Sequence, residues 1–406
     1  MRGFGIGLGG IALAMGAVSA PLPAQEAASN IQEPAAVHNR LLTLDTHLDT
    51  PLHMMRPGWD IAERHDYITD NSQVDVPRMI EGGLDGGFFV IWTPQGELTE
   101  QGYAGAAAMA EARQQSILAM IAANPETVER ADRADDAARI AATGRRFVYQ
   151  SIENSYPLGE DIGALQRFYD NGVRMVGPVH SSTNQFADSA TGEERWGGLS
   201  PLGRELVAEM NRLGIIVDGS HASDAAFDQM LELSATPIIL SHSGPKTAFD
   251  HPRNLDDARI ARLAETGGVI SVNSIYLAPR GSSPEWEAIG ARFMEMFAED
   301  PEVQAAYVRD LRALEAVTPR EDSDFEMYMA SLLHLIAVAG VDHVGFGADW
   351  DGGGGVEGMR DITALPRVTA RLLAAGHSEE DLAKMWSGNV LRLLRTAETH
   401  SAALVD

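Results

Sequence analysis

Ile215-Ile216-Val217-Asp218-Gly219-Ser220-His221 and, further on, Pro237-Ile238-Ile239-Leu240-Ser241-His242-Ser243 decide the fold. Each is a short apolar run that gives way at once to polar side chains able to hold a metal. The runs, Ile215–Asp218 and Pro237–Leu240, have six counterparts at Leu41–Asp45, Gly87–Trp92, Arg146–Ile152, Val173–Val179, Val269–Asn273 and Val344–Ala348. Between them apolar residues recur at helical spacing, as in Tyr103–Ala123, Pro201–Leu213, Ala225–Leu233, Asp256–Glu265 and Met327–Ala339. Strand and helix alternating eight times predict an α/β fold, a (β/α)8 barrel of the TIM type, with an open doubly wound sheet as the rival. Periodicity alone does not separate the two. The His and carboxylate residues that look functional fall just after strands, the end where barrels build their sites, and this favours the barrel. About seventy positions separate the last two strands, too many for a simple crossover, so 282–320 reads as a helical insertion in a single domain spanning 38–400.

The same strand ends supply the chemistry. The first run leads into Asp45-Thr46-His47-Leu48-Asp49, and in extended backbone His47 and Asp49 point to one side. A lone His-x-Asp is weak. It gains company from Glu153 after the third strand, His221 after the fifth and His242 after the sixth. His47, Asp49 and Glu153 can hold one divalent ion, while Glu153, His221 and His242 hold a second, with the two about 3.5 Å apart around a shared water. The donors suit zinc, and also admit manganese, iron or cobalt. The chain has no cysteine, so neither a thiolate site nor a disulfide framework is available. Its only lysines are Lys246 and Lys384, neither placed to bridge metals as a carbamate, which leaves Glu153 as the bridge.

The blocks Asp45–Asp49, Gly172–His180, Gly198–His221, Pro237–Asn254 and Gly340–Gly352 resemble, in order and spacing, signature blocks of the membrane dipeptidase (renal dipeptidase) family within the amidohydrolase-like superfamily. The resemblance runs from about Leu41 to about Leu394. It implies a zinc dipeptidase in which a hydroxide shared by two zinc ions cleaves the peptide bond. By the same resemblance His180 contacts the scissile carbonyl, Arg253 binds the substrate's C-terminal carboxylate, and Asp349 is the acid/base. Asp351 is the alternative to Asp349. His53, His65, His251 and His343 lack ligand spacing and read as structural. The chain departs from the family at Asn154-Ser155-Tyr156, where small glycines and a histidine are usual, and in the long insertion; both changes bear on substrate choice. A binuclear amidohydrolase acting on N-acyl amino acids or β-lactams is the alternative activity, and a binding protein that has lost turnover is the non-enzymatic one.

Composition limits the partners. A balance of 45% hydrophobic and 22% charged residues is that of a globular protein, and a formal net charge of -27 argues against nucleic acid or an anionic membrane surface. The first residues, Arg2 followed by an apolar run from Ile6 to Val18 and small residues at Ala20 and Ala24, read as a signal peptide over 1–24. A linker over 25–37 would follow. The expected location is therefore exported, in a bacterial periplasm or the medium, without stable membrane insertion once the signal is removed. The expected partner is a small dipeptide substrate, with a homodimer left open.

Overall fold

The computed structural model describes residues 33–404, except 280, 282 and 320–322. The expected signal segment and residues 25–32 of the expected linker lie outside the described residues. The remainder of that linker is not free: Pro34–His38 is a helix with Val37 and His38 buried. The His38 ring explains this, since Nδ1 bonds Thr369 Oγ1 at 2.7 Å and Nε2 bonds the Gly82 carbonyl at 2.9 Å.

Among the described residues nine parallel strands follow, β1 Leu44–Leu48, β2 Gly86–Ile91, β3 Val128–Arg130, β4 Arg146–Ile152, β5 Val173–Val176, β6 Ile216–Val217, β7 Ile239–Ser243, β8 Val269–Val272 and β9 Val344–Phe346. One arc of sheet runs β1-β2-β4-β5-β6 and a second runs β7-β8-β9. Single parallel bridges join the arcs, Asp218 to Ile239 on one side and Leu48 to Trp350 on the other, so the ring of eight closes into a (β/α)8 barrel. The ninth strand, β3, was not expected. It pairs only with Arg146–Val148 at the start of β4, below the point where β5 joins at Gln150. Val128-Glu129-Arg130 is too short and too polar to announce itself.

The barrel strands are buried on both faces, as parallel strands covered by helices must be. Consecutive residues alternate between two apolar layers. Phe88, Tyr149, Met175, Ile216, Ile239 and Val269 pack in one with the C-terminal helix Asn389–Ala403, while Phe89, Val148, Val176, Val217, Leu240 and Ile270 pack in the other. The covering helices carry their own punctuation. In Pro201–Leu213 the Ser200 side chain accepts from Gly203 N, Pro201 opens the first turn, and Gly214 ends the helix at φ 77°. Its Leu206, Val207, Met210 and Leu213 turn to the core, each stabilising by roughly 1.5–3 kcal/mol when fully buried.

In the stretch read as an insertion, between β8 and β9, the chain forms helices Pro284–Ala291 and Pro301–Val317. They enclose a small apolar cluster of their own, built on Trp286, Ile289, Met296, Tyr307 and Val308 and separate from the barrel's layers.

Candidate metal centre

Glu153, the residue after β4, is the hub. Its Oε1 lies 2.9 Å from His221 Nε2, 3.4 Å from His242 Nε2, 3.5 Å from His180 Nε2 and 3.6 Å from His47 Nε2. Those four histidines come from β1, β7 and the segments after β5 and β6. Asp49 Oδ2 and Asp349 Oδ1 stand 3.4 Å and 3.9 Å from His47 Nε2. Three groups, each with its ligand atoms within 4.8 Å of one another, overlap here: His47, Glu153 and His242; Glu153, His180 and His221; and His47, Asp49 and Asp349. All five expected ligands converge with His180 and Asp349. His180 stands about as near the hub as His242 does.

The donors fit divalent cations because the protein leaves them unanswered. Both ring nitrogens of His47, His221 Nδ1 and Asp49 Oδ1 are buried without a hydrogen-bond partner. Buried polar atoms are ordinarily paired, so such a concentration marks a place prepared for something else. His221 Nε2 and His242 Nε2 face each other at 2.9 Å. The electrostatics agree. Burial pushes the Glu153 carboxyl well above its usual range, with Asp49 and Asp349 adding repulsion and His47 opposing it. Burial alone would lower His47, but Glu153, Asp49 and Asp349 outweigh it and raise the imidazole to about 10. The Glu153 carboxyl and the His47 imidazole alike thus record a shortage of positive charge. His180 goes the other way, to about 3, through burial and the neighbouring charges of Arg253 and His47.

Supporting groups fix the geometry. Asp218 accepts from Ser220 N at 2.9 Å, Ser241 N at 3.0 Å and Ser241 Oγ at 2.5 Å. With its proton given to Asp218, Ser241 Oγ accepts at 2.9 Å from His242 Nδ1, which leaves the His242 Nε2 lone pair for the hub. This aspartate–serine pair was not foreseen as a positioning device; the serine immediately before His242 was its one local sign. Gly352 is a point of close contact. A Cβ there would lie 2.1 Å from Asp49 Oδ2 and 2.2 Å from Asp349 Oδ1. The loop itself is pinned by Gly354 N to Asp349 O and Gly355 N to Ser274 Oγ. Backbone strain collects at the same end: His221, Tyr276, Asp349 and Asp351 have φ between 60° and 67°.

The remaining candidates separate cleanly. Asp351 is enclosed, accepting from Gln73 N at 2.6 Å and Thr50 Oγ1 at 2.7 Å, with His53 Nε2 at 3.3 Å. His65 pairs with Asp70 and His343 Nδ1 with the Gly268 carbonyl, while His251 stacks on Tyr276. The lysines pair with Asp224 and Asp342. Arg253 is buried, its NH2 donating to the His242 carbonyl at 3.2 Å and its Nε without a partner. It borders a cavity of about 570 Å³ together with Glu153, His180, His221 and Asp349.

A parallel barrel with such a cluster at its strand ends has the architecture of a metal-dependent hydrolase. The chain belongs to the membrane dipeptidase family (Peptidase family M19), whose model matches residues 31–405. By that membership it is a hydrolase of the dipeptidase class. Dipeptidase tcpJ of Claviceps purpurea is 31% identical over 368 residues, 88% of this chain and 78% of its own length. An uncharacterized dipeptidase of Schizosaccharomyces pombe is 33% identical over 250 residues, 61% of this chain and 52% of the relative. Among solved structures, the probable dipeptidase PvdM of Pseudomonas aeruginosa superposes with a TM-score of 0.77 at 29% identity, covering 90% of this chain and 98% of that one. A metallopeptidase of Rhodobacter sphaeroides, liganded with a phosphinate mimic of the dipeptide L-Ala-D-Ala, gives 0.69 at 26% identity and covers 87% and 99%. Among the described residues no helix is long and apolar enough to cross a membrane.

Proposed function

We propose that the chain hydrolyses free dipeptides with two zinc ions, one held by His47, Asp49 and Glu153 and the other by Glu153, His221 and His242. The observation that carries this reading is the single buried Glu153 oxygen with four imidazole nitrogens within 3.6 Å. Bound there, the ions supply a water of lowered pKa and an electrophile for the peptide carbonyl. The chain's own groups do the rest. His180, on the cavity wall beside Glu153, donates to the carbonyl oxygen as negative charge develops on it. Asp349 takes the proton from the attacking water and returns it to the leaving amine, which an amide requires because its anion leaves poorly. Arg253 presents its unpartnered Nε to the C-terminal carboxylate, and so favours dipeptides over longer chains. The dipeptide mimic bound by the Rhodobacter sphaeroides relative supports a dipeptide in this cavity.

Export to a periplasm or the medium is part of the proposal and rests on the sequence of residues 2–24 alone. The test is a zinc titration of the full chain followed by a dipeptide hydrolysis assay. Two equivalents of tightly held zinc and turnover of free dipeptides, with C-terminally amidated dipeptides poor, are expected. One equivalent, or equal turnover of the amides, contradicts the reading.

A further inference from the structure

The cavity has two unlike walls. One is the polar barrel end just described. The other belongs to the insertion, whose Trp286, Ile289, Phe293, Met296 and Leu311 line the same space. The insertion's apolar cluster does not merge with the barrel's, and named polar contacts tie it to the segment after β1. The Arg312 guanidinium lies 3.7 Å from the Tyr67 ring centre and donates to the Tyr67 carbonyl at 3.0 Å. Arg56 Nε donates to Gln304 Oε1 at 3.2 Å, and Asn71 Nδ2 approaches the Met296 sulfur at 3.4 Å. The apolar wall therefore stands over the β1 side of the ring.

Arg253 lies elsewhere on the ring, in the loop after β7, which β8 and β9 separate from β1, against the His242 carbonyl. A dipeptide with its carboxylate on Arg253 and its peptide bond at Glu153 would place its N-terminal residue in the rest of the cavity, which the insertion lines. That side also carries the carboxylates Asp49 and Asp349, the sign an N-terminal ammonium needs. A space of about 570 Å³ falls in the range that encloses drug-sized ligands, and two small residues leave its apolar wall unmet.

Resting on the dipeptidase reading, we propose that the insertion is the specificity element, and that the preferred substrates are dipeptides with a bulky apolar N-terminal side chain packed against Trp286, Ile289 and Phe293. Burying such a side chain is worth at least about tenfold in kcat/KM over glycine.

The experiment compares Phe-Ala with Gly-Ala, and Ala-Phe with Ala-Gly, on the zinc-loaded full chain and on two variants. Trp286→Ala removes part of the wall. Gly290→Trp adds bulk at the cavity border: Gly290 lines the cavity, and a Cβ built there meets no atom within 4 Å. The wild type should favour Phe-Ala over Gly-Ala by at least about tenfold, with a smaller ratio in the Ala-Phe pair. Both variants should lower the first ratio. A wild-type ratio near one, a preference that follows the C-terminal residue, or a ratio unmoved in both variants overturns the proposal. If the wild type cleaves none of the four, it is the dipeptidase reading itself that fails.

Discussion

Glu153 and Asp351 are both buried carboxylates beside histidines, and they behave as opposites. Asp351 accepts from Gln73 N on one oxygen and from Thr50 Oγ1 on the other, and Arg56 engages Nδ1 of its neighbour His53, whose Nε2 faces the carboxylate at 3.3 Å. Around Glu153 Oε1 stand four imidazole nitrogens, and both ring nitrogens of His47 and Nδ1 of His221 are buried without a hydrogen-bond partner. A buried carboxylate–histidine contact is therefore not in itself a reactive site. What distinguishes the two regions is whether the fold has already answered the polar groups it buries.

That contrast can be broken most directly at its centre. In Glu153→Gln a neutral amide replaces the shared carboxylate, so zinc content should fall to one per chain or less and turnover should drop to background, as read by elemental analysis and a dipeptide assay. Asp349→Asn keeps shape but cannot accept a proton, and turnover should fall by about 10²–10⁴-fold while two zinc ions remain. Loss of a metal from this variant would make Asp349 a ligand. Ser241→Ala frees His242 Nδ1 from its orienting contact and should weaken zinc affinity by about 10–100-fold, measured by competition with a chelator. Arg253→Met should reduce kcat/KM on free dipeptides by at least about tenfold and on amidated ones little, because only the former lose a charge-assisted bond of roughly 1.5–3 kcal/mol. Asp351→Asn sharpens the comparison from the other side. It should lower stability by about 1–3 kcal/mol in denaturant unfolding, with the zinc content of the folded protein unchanged.

The parts of this contrast differ in how openly the sequence displays them. His47, Asp49, Glu153, His221 and His242 were legible because each follows an apolar run directly, and strand ends of a barrel point to one place. Asp349 was preferred to Asp351 by resemblance alone, because what sets Asp351 apart, its bonds to Gln73 and Thr50, comes from residues remote in the chain. The role of Asp218 was hidden for the same reason, its decisive partner Ser241 lying on the next strand. The strand β3 carries no apolar run, and the apolar wall of the insertion faces a cavity that exists only after the barrel closes.

The two seams of the barrel are thin. Each has one bridge, supplemented by side chains that reach across: Asp45 accepts from Ala348 N and Thr46 Oγ1 donates to the Phe346 carbonyl at one, and Asp218 accepts from Ser241 N and Oγ at the other. The proposed zinc donors straddle those seams, with His47, Asp49, Glu153 and His221 on the larger arc and His242 on the smaller. On the proposed function the zinc centre would double as a clasp: loaded, it would hold the ring shut at that end, and with the metal stripped the amides along both joins should be the first in the sheet to exchange with solvent.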